Sequence, residues 1–133
     1  MIDAKTRFQK VMLVDDNAID LYITTKIIKK NKFAETINHF TSALSALEFL
    51  KENETNFTVL PQIVFVDIYM PLMSGFEFME EYDKLSSDLK NHCKVYIISS
   101  SIDENDIKKA NEDPNIVAFQ VKTITTEFLN SIL

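Results

Sequence analysis

Four short, almost unbroken apolar runs punctuate the chain: Val-Met-Leu-Val at residues 11–14, Ile-Val-Phe-Val at 63–66, Val-Tyr-Ile-Ile at 95–98 and Ile-Val-Ala-Phe-Gln-Val at 116–121. A weaker candidate, Thr-Ile-Asn-His-Phe, lies at 36–40. Runs this short and this continuously apolar suit strands covered on both faces, as in a parallel sheet flanked by helices. The segments between them carry helical spacing. Ala43, Leu44, Leu47 and Leu50 form one stripe, and Phe78, Met79, Tyr82 and Leu85 a second. Phe128, Leu129, Ile132 and Leu133 form a third, with Thr125 or Thr126 as N-cap. Residues 17–30 spread their apolar positions round the helix, as a helix touching both sheet and neighbour would. Residues 103–111 keep only Ile107 and Ala110 for burial, so this helix is expected to be the most exposed and mobile. Strand and helix candidates alternate five times, which predicts one α/β domain spanning residues 1–133: a doubly wound, five-stranded parallel sheet with five helices.

Composition narrows the classes. At 133 residues with 46% hydrophobic residues, the chain can bury a full core without disulfides or a structural metal. The single cysteine, Cys93, and the two histidines, His39 and His92, lack zinc-ligand spacing. Fourteen basic against twenty acidic residues give a net charge of −6, which argues against direct binding to DNA or to anionic membranes. No apolar stretch approaches the ~20 residues that span a bilayer, and residues 1–10 do not resemble a signal peptide, so a cytoplasmic location is the default expectation. The only glycine is Gly75, and no repeat or linker divides the chain.

In a doubly wound sheet, function sits at the carboxyl ends of the strands. Asp15, Asp16 and Asn17 follow the first run, Asp67 follows 63–66, Ser99 follows 95–98 and Lys122 follows Val121. Each has an ordinary local explanation: Asp15 to Asn17 and Ser99 as helix caps, Asp67 as the close of a strand before Pro71, Lys122 as a surface lysine. Their joint position on one edge does not. If the two acidic strands are neighbours, three carboxylates meet and repel unless one is protonated or a cation sits among them. An oxygen-only ligand set points to a hard divalent ion such as Mg²⁺. Lys122 supplies a fixed positive charge and Ser99 a hydroxyl donor, which suits the holding of phosphoryl oxygens, with an aspartate as nucleophile.

The segment Val66-Asp67-Ile68-Tyr69-Met70-Pro71-Leu72-Met73-Ser74-Gly75, with proline four and glycine eight residues after the aspartate, resembles the phosphoacceptor segment of response regulator receiver domains of two-component systems. Leu13-Val14-Asp15-Asp16 resembles the family's acidic pair, and Ile97-Ile98-Ser99 its strand ending in Ser or Thr. The resemblance runs from Val11 to the last helix and implies the flavodoxin-like receiver fold. It implies that Asp67 accepts the phosphoryl group and that Mg²⁺ is held by Asp16, by Asp15 largely through water, by Asp67 and by the backbone carbonyl of Tyr69. The Tyr69 side chain is then free to shape access for attacking water. Lys122 would pair with the phosphoryl group, and Ser99 and Phe119 would form the switch. It implies a sensor histidine kinase or histidine phosphotransfer protein as donor. A downstream protein would read residues 103–111 with the last strand and helix, a face also compatible with phosphorylation-dependent dimerisation.

One departure from the family pattern is Thr123 in place of the proline that usually follows the lysine through a cis bond. A cis bond to a non-proline residue costs ~3–4 kcal/mol, so a trans Lys122–Thr123 bond is expected. The chain is expected to be a stand-alone receiver without an output domain, a phosphoacceptor assisting its own phosphorylation and dephosphorylation rather than an enzyme on other substrates. The main competing reading is a receiver-like binding module that no longer turns over phosphate. A Mg²⁺-dependent phosphatase is disfavoured because Asp15 and Asp16 are adjacent and no cap-sized insertion exists.

Overall fold

The computed structural model describes residues 6–132. All five expected strands are present: β1 (Phe8–Val14), β2 (Ala34–Phe40), β3 (Ile63–Val66), β4 (Lys94–Ser99) and β5 (Ile116–Val121). They form one parallel sheet in the order β2-β1-β3-β4-β5. The apolar runs are buried on both sides. Met12 and Val14 of β1 join Val64, Val66, Val95 and Ile97 in one core layer, whereas Val11 and Leu13 join Ile63, Phe65, Tyr96 and Ile98 in the other.

The helices are α1 (Ala18–Lys30), α2 (Ala43–Glu52), α3 (Gly75–Tyr82), α4 (Ser87–His92), α5 (Glu104–Glu112) and α6 (Thr126–Ser131). Ile28 of α1 and Leu129 of α6 cover one face. Leu47 and Leu50 of α2, Phe78 and Tyr82 of α3, Leu89 of α4 and Ala110 of α5 cover the other. The expected five helices are therefore six. α4 escaped the periodicity because its six residues bury only Leu89. Leu44 does not belong to the buried stripe of α2: it is 50% exposed, while Ala46, on the inward face, takes the core position. Leu133 lies outside the described residues.

Caps fix where each helix begins. Asn17 accepts from the backbone N–H groups of Ile19 and Asp20, Asp103 from Asn105, and Thr125 from Phe128. Ser74 and Glu77 form a reciprocal capping box at α3. Arg7 donates to the carbonyls of Leu129 and Ile132, tying the start of β1 to the end of α6. α5 is indeed largely exposed, with Ala110 its one fully buried residue. No helix among the described residues is long and apolar enough to cross a membrane.

Candidate functional site

The chain turns in opposite directions on leaving β1 and β3, because β2 lies on one side of β1 and β3 on the other. A crevice opens at such a switch point, at the carboxyl ends of the strands. Register decides what faces it. Val14 pairs with Val66, so Asp15 and Asp67, the next residues, emerge side by side. The Asp67 N–H donates to Val14 O at 2.9 Å, and the Asp15 N–H to Phe40 O at 3.0 Å. One carboxylate oxygen each from Asp15, Asp16 and Asp67 lies within 4.8 Å of the others. Asp15 and Asp67 are buried and Asp16 faces solvent.

Lys122 reaches this cluster from β5. Its backbone N–H continues the ladder to Ser99 O at 2.9 Å. Its Nζ lies 2.7 Å from Asp15 Oδ2, 2.7 Å from Asp20 Oδ2 and 3.3 Å from Asp67 Oδ2, so its three N–H bonds have three carboxylate partners. The Lys122–Thr123 bond is cis, not trans as expected from the missing proline. The preference of an isolated peptide bond does not decide this position, because the chain is fixed on both sides, by the Lys122–Ser99 ladder bond and by Ile124 buried in the core.

Burial pushes the Asp67 carboxyl above its ordinary value. The neighbouring charge of Asp15 acts in the same sense, and Lys122 and the Ile68 N–H oppose both. For Lys122, burial disfavours the charged form, yet hydrogen bonds to Asp15 and Asp20 and the charge of Asp67 outweigh it and hold the ammonium well above its usual value. Four carboxylates, Asp15, Asp16, Asp20 and Asp67, thus gather round one ammonium, a surplus of negative charge. This surplus, with an oxygen-only donor set, fits a divalent cation at Asp15, Asp16 and Asp67.

Ser99 is fully buried at the end of β4, and its Oγ accepts from the Ser101 N–H at 3.2 Å. Phe119 is half-buried on β5 against the core layer that contains Ile97. Tyr69 points away from the core and is 60% exposed. Its hydroxyl donates to Asp106 Oδ2 in the first turn of α5, and that hydrogen bond raises the phenol above its ordinary value. Gly75, at the start of α3, sits against the acceptor loop. Its N–H donates to Ile68 O at 2.7 Å, and a Cβ here would overlap the Asp67 carbonyl oxygen and lie 2.9 Å from Ile68 Cα.

The structure thus brings Asp15, Asp16, Asp67 and Lys122 together, with Ser99 at the next strand end and Phe119 further back on β5. Two participants were not anticipated. Asp20 reads in sequence as a first-turn acidic residue favoured by the helix dipole, and only the fold carries it to Lys122, 102 residues away. Asp106 reads likewise in α5, and nothing local signals its bond to Tyr69.

The chain belongs to the response regulator receiver domain family, whose model matches residues 11–133. A crystal structure of a two-component response regulator from Cytophaga hutchinsonii superposes with a TM-score of 0.86 at 30% identity, covering 93% of this chain and 92% of that one. Among curated proteins, the sensor histidine kinase CheAY of Helicobacter pylori is 27% identical over 92% of this chain. A protein-glutamate methylesterase/protein-glutamine glutaminase of Burkholderia thailandensis is 29% identical over 57% of it. The chain spans 14% of the former and 19% of the latter. It is a signalling receiver domain of the two-component type, with an acidic pocket consistent with the phosphoacceptor site.

Proposed function

We propose that Asp67 is the residue that accepts the phosphoryl group and that Asp15, Asp16, Lys122, Ser99 and Phe119 serve the transfer and its readout. The observation that carries this reading is the placement of the Lys122 ammonium against Asp67 Oδ2 and Asp15 Oδ2 at the switch point of the sheet. In the transfer, an Asp67 oxygen forms a bond to phosphorus, the phosphorus–nitrogen bond of a donor phosphohistidine breaks, and the imidazole leaves with the electron pair and takes up a proton. Asp67 Oδ1 accepts from the Ile68 N–H at 2.8 Å and Oδ2 from the Lys122 ammonium at 3.3 Å, so both oxygens of the acceptor are held in place before the transfer. Lys122 holds a phosphoryl oxygen by charge, and the Ser99 hydroxyl donates to another after releasing the Ser101 N–H. Asp15, Asp16, Asp67 and the Tyr69 carbonyl would hold Mg²⁺, which when bound neutralises the charge of the carboxylates and of the arriving group.

Removal of the phosphoryl group is hydrolysis assisted by the same pocket, so the domain takes part in its own phosphorylation and dephosphorylation. The donor is a cytoplasmic histidine kinase or phosphotransfer protein. As Ser99 moves, Phe119 enters the space it leaves, and the change is read on α5, β5 and α6 by a partner protein. The test is intact-protein mass after incubation with acetyl phosphate, with and without Mg²⁺. A gain of one phosphoryl mass that requires Mg²⁺ and is absent in Asp67→Asn is expected. No gain in the folded wild-type protein would sink the reading and favour a binding module locked in one conformation.

A further inference from the structure

Three side chains outside the acidic pocket form a hydrogen-bonded chain that leads from the acceptor loop to α5. Tyr69 follows Asp67 by two residues, and its hydroxyl donates to Asp106 Oδ2. The Ser101 hydroxyl donates to the same oxygen at 2.8 Å and accepts from the Asp103 N–H at 3.1 Å. The Ser101 backbone N–H donates to Ser99 Oγ at 3.2 Å. Asp106 is therefore the one acceptor that two loops share, the loop after β3 with Asp67 and the loop after β4 with Ser99. Without it the Tyr69 ring, 60% exposed and outside both core layers, would have little to order it.

We propose that Asp106 is a positioning residue for the phosphoryl chemistry: it holds the Tyr69 ring across the crevice between the β3 and β4 loops and keeps Ser101 in place over Ser99. The physical argument is entropic and steric. A tyrosine tethered at both its backbone and its hydroxyl loses the rotamers in which the ring swings into solvent, and the charged acceptor makes the tether stronger than a neutral hydrogen bond. The ring then restricts the approach of water to a phosphoryl group on Asp67. This consequence rests on the reading of Asp67 as the acceptor. In the step affected, a water oxygen bonds to phosphorus, the bond from phosphorus to the Asp67 oxygen breaks with the pair returning to the carboxylate, and inorganic phosphate leaves as a proton passes to solvent.

The test uses Tyr69→Phe, Asp106→Ala and the double variant in the full chain. Hydrogen exchange on the unphosphorylated proteins reads the tether independently of any phosphoryl chemistry. The Ser101 amide and the first turn of α5 are expected to exchange about tenfold faster in Asp106→Ala, the change that loss of a charge-assisted hydrogen bond produces, while β1 and β3 keep their wild-type protection. Phosphoryl lifetimes after loading with acetyl phosphate and Mg²⁺ read the chemistry. Each single variant is expected to lose the phosphoryl group faster than wild type, Asp106→Ala about tenfold, and the double variant no faster than Asp106→Ala alone, because the bond lost in Tyr69→Phe is one of the two lost in Asp106→Ala. Unchanged exchange at Ser101 and α5, or additive effects on the lifetime, would overturn the proposal. So would faster exchange with a wild-type lifetime. A wild-type protein that accepts no phosphoryl group would instead remove the acceptor reading, and the lifetime role with it.

Discussion

Gly75→Ala sets two local rules against a tertiary one, and they differ in sign. Alanine is favoured over glycine inside a helix by ~1 kcal/mol, and at a tolerant position Gly→Ala stabilises by ~0.4–1 kcal/mol through the unfolded chain. Gly75 is the first residue of α3, so propensity alone predicts a more stable protein. The structure predicts the reverse. An alanine Cβ would overlap the Asp67 carbonyl oxygen and sit 2.9 Å from Ile68 Cα and 3.0 Å from the Asp67 carbonyl carbon. These are backbone atoms, held by the Gly75 N–H bond to Ile68 O at 2.7 Å and by the Asp67 N–H bond to Val14 O at 2.9 Å, so no flexible side chain can yield. Overpacking costs ~1–3 kcal/mol, and a clash with pinned backbone belongs at the upper end. After subtraction of the propensity gain, a net loss of ~2 kcal/mol is expected. In urea, with a slope of ~2 kcal/mol/M, the unfolding midpoint should fall by about 1 M at unchanged slope. Because the displaced atoms belong to Asp67 and Ile68, phosphoryl uptake from acetyl phosphate should fall in the same variant. A midpoint equal to or above wild type would refute the close-approach argument and return the position to ordinary helix propensity.

Burial raises the Asp67 carboxyl above its unfolded value, so the native state binds that proton more tightly and this group's contribution to stability declines as pH rises through its native value. Asp67→Asn should therefore be more stable than wild type at pH 7, with the difference shrinking as the pH falls through that value. Urea midpoints of the two proteins across this range check it, and a less stable Asn variant at pH 7 would contradict it. Mg²⁺ at a hundred times its dissociation constant should stabilise the wild type by ~2.7 kcal/mol, seen as a rise in Tm. The rise should be strongly reduced in Asp16→Asn, whose exposed side chain can be changed without disturbing the core, and an equal rise in that variant would remove Asp16 from the ligand set.

Much of the architecture is written in local terms. The doubly covered strands show as unbroken apolar runs because alternate residues of β1 feed two opposite core layers. The caps Asn17 and Thr125 are legible because a cap is a bond between a side chain and a backbone N–H two or three residues on, whereas α5 is capped by Asp103 and not by Ser99, the cap its serine run suggests. The candidate site was legible to the extent that strand ends define it: Asp15, Asp16, Asp67, Ser99 and Lys122 each follow an apolar run, and a parallel sheet aligns its carboxyl ends. The spacing of Pro71 and Gly75 after Asp67 added the family.

Other features depended on distance in space. α4 holds a single buried residue, Leu89, so no periodicity could announce it, and the exposure of Leu44 followed from which face of α2 the sheet happens to meet. The cis Lys122–Thr123 bond runs against the intrinsic preference of the dipeptide, in a segment anchored at Ser99 and Ile124. Asp20 and Asp106 are ordinary first-turn acidic residues until strand order and register carry them to Lys122 and Tyr69. Interactions within a few positions set the five strands, every helix but α4, their order along the chain and the residues at the strand ends. The partners follow from the fold alone, because a charge or hydroxyl has no preference along the chain for a group dozens of residues away; the pairing of Val14 with Val66 and of Ser99 with Val121 sets that distance.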